Sequence, residues 1–392
     1  MTATLLQGPP SAATTGPQTA TIAPGETERA AAPDAFYHPP QEDLAGRHGT
    51  VIRARRLSGA AALPGAENWL VLYRSRTPSG EPVAVSGTVA VPVGAPPDGG
   101  WPVLSWAHGT TGVADRCAPS RDSAAHGAHD YLGLVDQTLT WWVDHGYAVV
   151  RTDYQGLGTA GPHSYLIGKP EARAAADIVR AAHELSARLS DRWVVAGHSQ
   201  GGQAALFTSQ IGPRWIPELD LRGAVPVAPG SNYVELFAAS REAPVGGAAL
   251  TALVIRGVET AIDLATRRIL TRRAWRMLPQ TQDRCVDRLR EQDSWGGLPS
   301  DQVFRDDADL TRFDRVFDAN DPKHTTPSVP VLLAHGGLDT VAPAAMSEAL
   351  YAEQLAQGTE IELRRYPLAD HRQVIAESFE DVVAWADARV RP

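Results

Sequence analysis

"VVAGHSQGGQAALF" (residues 194–207) runs from β-branched residues through a small-residue turn into a helical pattern. A strand ending at Gly197 and a helix opening at Gln200 leave Ser199 on a sharp strand-to-helix turn. Such a turn drives the serine to positive φ, a strained conformation for a residue that carries a Cβ. The residues two before and two after it then crowd each other. Only small side chains fit there, which accounts for Gly197 and Gly201. The strain aims Oγ into open space above the sheet and brings the N–H groups of the following helix near it. A plain Gly-rich β–α turn would show the same glycines; the strand–turn–helix context is what favours a nucleophile.

Outward from this turn, strands and helices alternate. Residues 133–145 read as a helix, 147–153 as a strand, 171–189 as a helix, 221–229 as a strand, 329–336 as a strand, 343–357 as a helix, 361–367 as a strand and 373–390 as a closing helix. Before them come the runs 69–76, 82–92 and 102–108, separated by Gly/Pro turns. Antiparallel-looking strands followed by alternating β and α predict an α/β fold with a mostly parallel sheet and helices on both faces. Residues 230–325 break the rhythm with helical candidates alone, including one over 258–277, so they are expected to be an inserted helical cap between two strands of one sheet. The expected core is then 35–229 and 326–392. Arg267, Arg268, Arg272, Arg273 and Arg276 lie within the cap and read as a solvated helix face.

The 392 residues carry a net charge of −9, which disfavours nucleic acid or an anionic membrane surface as a general partner. No run of eighteen apolar residues is present, so no transmembrane segment is expected. Residues 1–34 are rich in Ala, Thr, Pro and Gly and lack the basic and apolar regions of a secretion signal. They read as a disordered tail, and the missing signal favours a cytoplasmic location. Cys117 and Cys285 are the two cysteines; they read either as small buried side chains or as one disulfide.

A serine hydroxyl needs a base to take its proton. His371 follows the last strand and precedes the last helix, at the carboxyl edge where open α/β sheets hold ligands. His183 inside a helix, His198 beside the serine and His324 in the cap-to-core connection fit worse. The base needs a carboxylate to fix its tautomer. Asp339 in "GGLDTVAP" follows a strand at the same edge, although it could also cap the helix near 343. Asp370 is a rival by adjacency, but neighbouring residues seldom meet at the right angle. The order Ser199…Asp339…His371 favours the catalytic reading. An oxyanion would be held by the N–H of Gln200 and by a donor from "HGTTG" (108–112), Thr110 first and Thr111 close behind. "DYQGLGT" (153–159) lacks a full dinucleotide fingerprint, and His126 and His129 lack a third ligand, so neither a cofactor nor a metal is expected.

These residues resemble the α/β-hydrolase fold. "SWAHGTTGVADRCAPS" (105–120), "DYQGLGTAGPHSYLIG" (153–168), "AGHSQGG" (196–202) and "GGLDTVAP" (336–343) narrow the resemblance to the secretory lipase family, lipase A-like, of fungi and actinobacteria. The resemblance implies a carboxylic ester hydrolase, an esterase or lipase acting on a small-molecule or lipid ester, with a helical lid and with Ser199, Asp339 and His371 as nucleophile, acid and base. It also implies secretion, and it marks Cys117 as a position often disulfide-linked, with Cys285 its candidate partner. An acyltransferase or thioesterase with the same triad, or a non-catalytic receptor on the same fold, are the other readings.

Overall fold

β-Branched side chains suit a pleated surface better than a helix turn, and the valine-rich segments are where the backbone extends. The computed structural model describes residues 35–242 and 247–391, so the tail assigned to 1–34 lies outside the described residues. The strands are β1 (Val51–Arg56), β2 (Ala66–Arg76), β3 (Pro82–Pro92), β4 (Trp101–Ala107), β5 (Ala148–Thr152), β6 (Leu189–His198), β7 (Asp220–Val227), β8 (Val331–Gly336) and β9 (Ile361–Tyr366). They form one sheet in the order β1-β2-β3-β5-β4-β6-β7-β8-β9. β1, β2, β3 and β5 pair antiparallel. From β5 to β9 every pairing is parallel. β4 therefore belongs to the parallel part, between β5 and β6. The sequence does not reveal β1, because "VIRARR" at the sheet edge buries none of its residues.

The helices are α1 (His129–Asp144), α2 (Gly168–Leu185), α3 (Gln200–Trp215), α4 (Tyr233–Glu242), α5 (Ala248–Ala261), α6 (Thr266–Ile269), α7 (Arg272–Met277), α8 (Val286–Leu289), α9 (Thr311–Ala319), α10 (Ala344–Ala356), α11 (Gln373–Glu377) and α12 (Phe379–Val390). One face of the sheet is packed by α2, α3 and α10, with Ile178, Ala205 and Leu350 fully buried. The other is packed by α1, α11 and α12, with Leu139, Val374 and Ala386 fully buried. Burying such a leucine or valine side chain is worth about 1.5–3 kcal/mol, so two apolar layers hold the sheet between them. The closing helix 373–390 is two pieces, separated at Ser378.

Between β7 and β8 the chain builds its own apolar cluster around Phe237, Ile255, Trp295 and Phe313. The single helix expected over 258–277 is not there. α5 ends at Ala261, and Ile262 is extended at φ −142°, ψ 154°. Backbone bonds from Thr271 to Val303 and from Arg305 to Ile269, with Leu270 bridging Phe304, pull 269–271 out of helical geometry. Thr271 then caps α7 by accepting from the Ala274 N–H. The five arginines consequently sit on two short helices, and all are exposed.

Candidate active site

Parallel pairing puts the carboxyl ends of β4, β6, β8 and β9 on one edge, and the loops after them carry the predicted residues. Ser199 has φ 57° and ψ −114° between β6 and α3. A Cβ on Gly197 would lie 2.3 Å from the Gly201 carbonyl oxygen, and one on Gly201 would lie 1.8 Å from that of Ala107. The crowding that the sequence predicts is therefore real, and it also involves the end of β4. The Ser199 N–H donates to the Val227 carbonyl at 2.9 Å, and the Ser199 carbonyl accepts from Gly202 and Gln203. The strained turn is thus pinned on both sides.

His371 Nδ1 donates to Asp339 Oδ2 at 2.6 Å, which leaves Nε2 as the basic nitrogen of that ring. Asp339 is fully engaged. Its Oδ1 accepts from the N–H groups of Val341 and Ala342, both at 2.8 Å, and its Oδ2 also meets His335 Nε2 at 3.2 Å. Burial alone would raise the Asp339 pKa. The hydrogen bonds from His335, His371 and the Ala342 N–H outweigh burial and hold the carboxyl well below the usual range. Asp339 thus shapes the turn before α10, although the N-cap of that helix is Pro343. Asp370 turns the other way, accepting from the N–H groups of Arg372 and Gln373. Ser199 Oγ makes no hydrogen bond among the described residues. The serine–histidine contact is the member of the predicted line that is not formed; such contacts tighten on substrate binding.

His198 has a role the sequence did not expose. Burial pushes its pKa well down, so the ring is neutral. Its Nε2 donates to the His371 carbonyl at 2.7 Å, and its Nδ1 accepts from Tyr131 Oη at 3.1 Å. Tyr131 Oη in turn accepts from the Gly109 N–H at 2.8 Å. One chain of hydrogen bonds therefore joins the 108–112 loop, the residue before Ser199 and the backbone of His371. The helix expected over 133–145 begins earlier, at His129, so Tyr131 lies outside the helix read from the sequence and is not singled out there.

The 108–112 loop is braced from all sides. Tyr154 Oη donates to the His108 carbonyl at 2.9 Å, and Thr110 Oγ1 bonds Tyr165 Oη at 2.8 Å. The Val286 N–H donates to the Thr111 carbonyl at 2.8 Å, next to the Cys117–Cys285 disulfide. Thr111 is fully buried, whereas Thr110 is partly exposed. "DYQGLGT" is thus a structural turn, with Tyr154 at φ 67° and Asp153 accepting from Ser86 and Ser120. Gln200, the first residue of α3, is buried with its side-chain amide against Glu171 and His163. A cavity of about 600 Å³ lies beside this cluster, lined by Val113, Arg116, His163, Arg256 and Glu259 among others. His126 and His129 both turn to Asp122, at 3.8 and 3.0 Å. Among the described residues, no group of three or more His, Cys, Asp or Glu side chains is arranged to hold a metal ion. Among them, too, no helix is long and apolar enough to cross a membrane.

A strained serine after a central parallel strand, with a His–Asp pair at the same sheet edge, is the layout of α/β-hydrolases. A model of the secretory lipase family matches residues 134–391. The chain belongs to the secretory lipase family. Its sequence is 25% identical to Lipase A of Moesziomyces aphidis over 86% of this chain and 75% of that protein. It is 28% identical to a "Probable inactive lipase" of Mycobacterium tuberculosis over 58% of this chain and 51% of that protein. Its fold matches Candida antarctica lipase A with a TM-score of 0.71 at 20% identity, covering 91% of this chain and 86% of that one. The protein is a lipase/esterase-type hydrolase of carboxylic esters on the α/β-hydrolase fold.

Proposed function

We propose that this enzyme is a serine hydrolase in which Ser199, His371 and Asp339 act as one proton-handling line. The observation that carries the reading is the 2.6 Å bond from His371 Nδ1 to Asp339, at the sheet edge where Ser199 is held at positive φ. His371 Nε2 takes the Ser199 proton as Oγ attacks the ester carbonyl. The N–H groups of Gln200 and Thr110 hold the oxyanion; the buried Thr111 supports the loop. The imidazolium, stabilised by Asp339, protonates the leaving alcohol. Water, activated by the same imidazole, then releases the acid from the Ser199 acyl-enzyme. The helices of 230–325 form a cap over this edge, and a lipid or small-molecule ester is the substrate class that the family name supports.

We place the protein outside the cytoplasm. The Cys117–Cys285 disulfide needs an oxidising compartment, and the family name points the same way. Labelling with a fluorophosphonate tests the nucleophile: the parent should react at Ser199, and Ser199→Ala should lose on the order of 10⁶ in kcat. An unlabelled parent, or a Ser199→Ala variant at the parental rate on a p-nitrophenyl ester, overturns the assignment. An ester series from acetate to palmitate then separates esterase from lipase.

A further inference from the structure

Gln200 has two duties. As the first residue of α3 its N–H has no acceptor within the helix. It shares one peptide plane with the Ser199 carbonyl, which accepts from Gly202 and Gln203, so its direction depends on how firmly the start of α3 is seated. Its neighbour Ser199 is strained, and strain of this kind persists only where the surroundings over-determine it. The Gln200 side chain supplies such a constraint. Its Nε2 donates to Glu171 Oε1 at 2.7 Å and lies 3.2 Å from His163 Nε2. Glu171 is on α2, and its Oε1 also accepts from the Leu166 N–H at 3.0 Å. His163 Nδ1 donates to the Gln155 carbonyl at 2.9 Å, so its Nε2 is free to accept. Both hydrogens of the Gln200 amide are therefore taken by groups whose own places are fixed.

We propose that Glu171 and His163 are positioning residues that clamp the Gln200 side-chain amide and thereby hold the oxyanion donor on its backbone. The proposal rests on the assignment of Ser199 as nucleophile and of the Gln200 N–H as donor.

The protonation of Glu171 gives the clamp a signature. Glu171 is fully buried, and its Oε2 has no hydrogen-bond partner among the described residues. Burial pushes its pKa up to about 8, against the smaller opposing effects of the bonds from Gln200 and Leu166. The side chains that face it are His163 and Tyr165 from the 161–168 segment, Tyr154 from the turn after β5, Tyr233 from α4 and Gln200 from α3. Burial holds His163 neutral, with its pKa down to about 4, and raises all three tyrosines, Tyr165 to about 12. Asp321 and Arg290 act on Tyr233 and Tyr165, respectively. Glu171 is thus the group in this layer that changes charge between pH 7 and 9. Neutral, it accepts the Gln200 amide. Ionised, it sets a buried negative charge behind the residue that must stabilise a developing oxyanion, and kcat falls.

The test compares kcat and KM from pH 6.5 to 9.5 for the parent, Glu171→Gln and Glu171→Ala, with p-nitrophenyl butyrate as substrate and fluorophosphonate labelling of each protein. The parent should lose at least fivefold in kcat as pH rises through about 8. Glu171→Gln, neutral at every pH, should keep kcat at pH 7 within about threefold and lose the alkaline decline. Glu171→Ala should lose tenfold or more in kcat with KM within twofold. An alkaline decline that persists unchanged in Glu171→Gln, or is missing from the parent, overturns the proposal. So does a folded Glu171→Ala with parental kcat. If Glu171→Ala does not fold, the comparison of parent with Glu171→Gln decides alone. A parent that fails to label or to turn over marks failure of the nucleophile assignment instead.

Discussion

Replacing Asp339 by asparagine removes a charge from a site built wholly of donors. Asp339 accepts from His371 Nδ1, His335 Nε2 and the N–H groups of Val341 and Ala342. An asparagine offers one acceptor oxygen and one NH₂. If the oxygen turns to His371, the NH₂ faces two backbone N–H groups, and each buried donor left without a partner costs about 1–3 kcal/mol. If the oxygen stays with Val341 and Ala342, the turn survives but the NH₂ faces His371. Nδ1 must then accept, the ring proton moves to Nε2, and the base is lost. The second arrangement is the cheaper for folding, so the variant should fold with the wrong tautomer. The same exchange in a protease triad costs about 10⁴ in kcat, or about 5 kcal/mol at 1.36 kcal/mol per decade. The assay is kcat on p-nitrophenyl butyrate at pH 7.5, with folding followed by thermal melting. A folded Asp339→Asn variant with kcat within tenfold of the parent would refute the role of Asp339.

Gly201→Ala forces a Cβ to within 1.8 Å of the Ala107 carbonyl oxygen and should destabilise the fold by more than about 3 kcal/mol, whereas Gly133→Ala on α1 meets open space and should stabilise by about 0.5–1 kcal/mol; urea unfolding midpoints measure both, and equal effects would contradict the packing. Reducing the Cys117–Cys285 bridge opens a loop of sequence separation 168. In the chain-entropy limit this costs about 5 kcal/mol. Dithiothreitol should therefore lower the parental urea midpoint and leave that of Cys285→Ser unmoved; a parent insensitive to reduction would contradict it.

The sheet and the strained Ser199 turn were legible because their signals are local. Gly197 reports a steric demand made within five residues, against the Gly201 carbonyl, although the demand on Gly201 comes from the end of β4. Valine runs with Gly/Pro turns report strands one at a time. Asp339 and His371 were legible because strand order and parallel pairing bring successive carboxyl ends to one edge. β1 was not legible, since an exposed edge strand need not alternate. The break in the 258–277 helix was not legible either, because its cause is a backbone pairing with residues 303–305.

What the sequence determined by itself was thus the α/β class, the sheet edge where the candidate residues gather and the choice of Ser199, Asp339 and His371 as candidates. What only the tertiary structure decided was how those residues are held: Tyr131 and His198 behind His371, His335 on Asp339, and Glu171 with His163 on Gln200. The physical reason is range. A turn or a strand is set by neighbours in the chain, whereas a buried polar group takes its charge and direction from partners tens or hundreds of residues away.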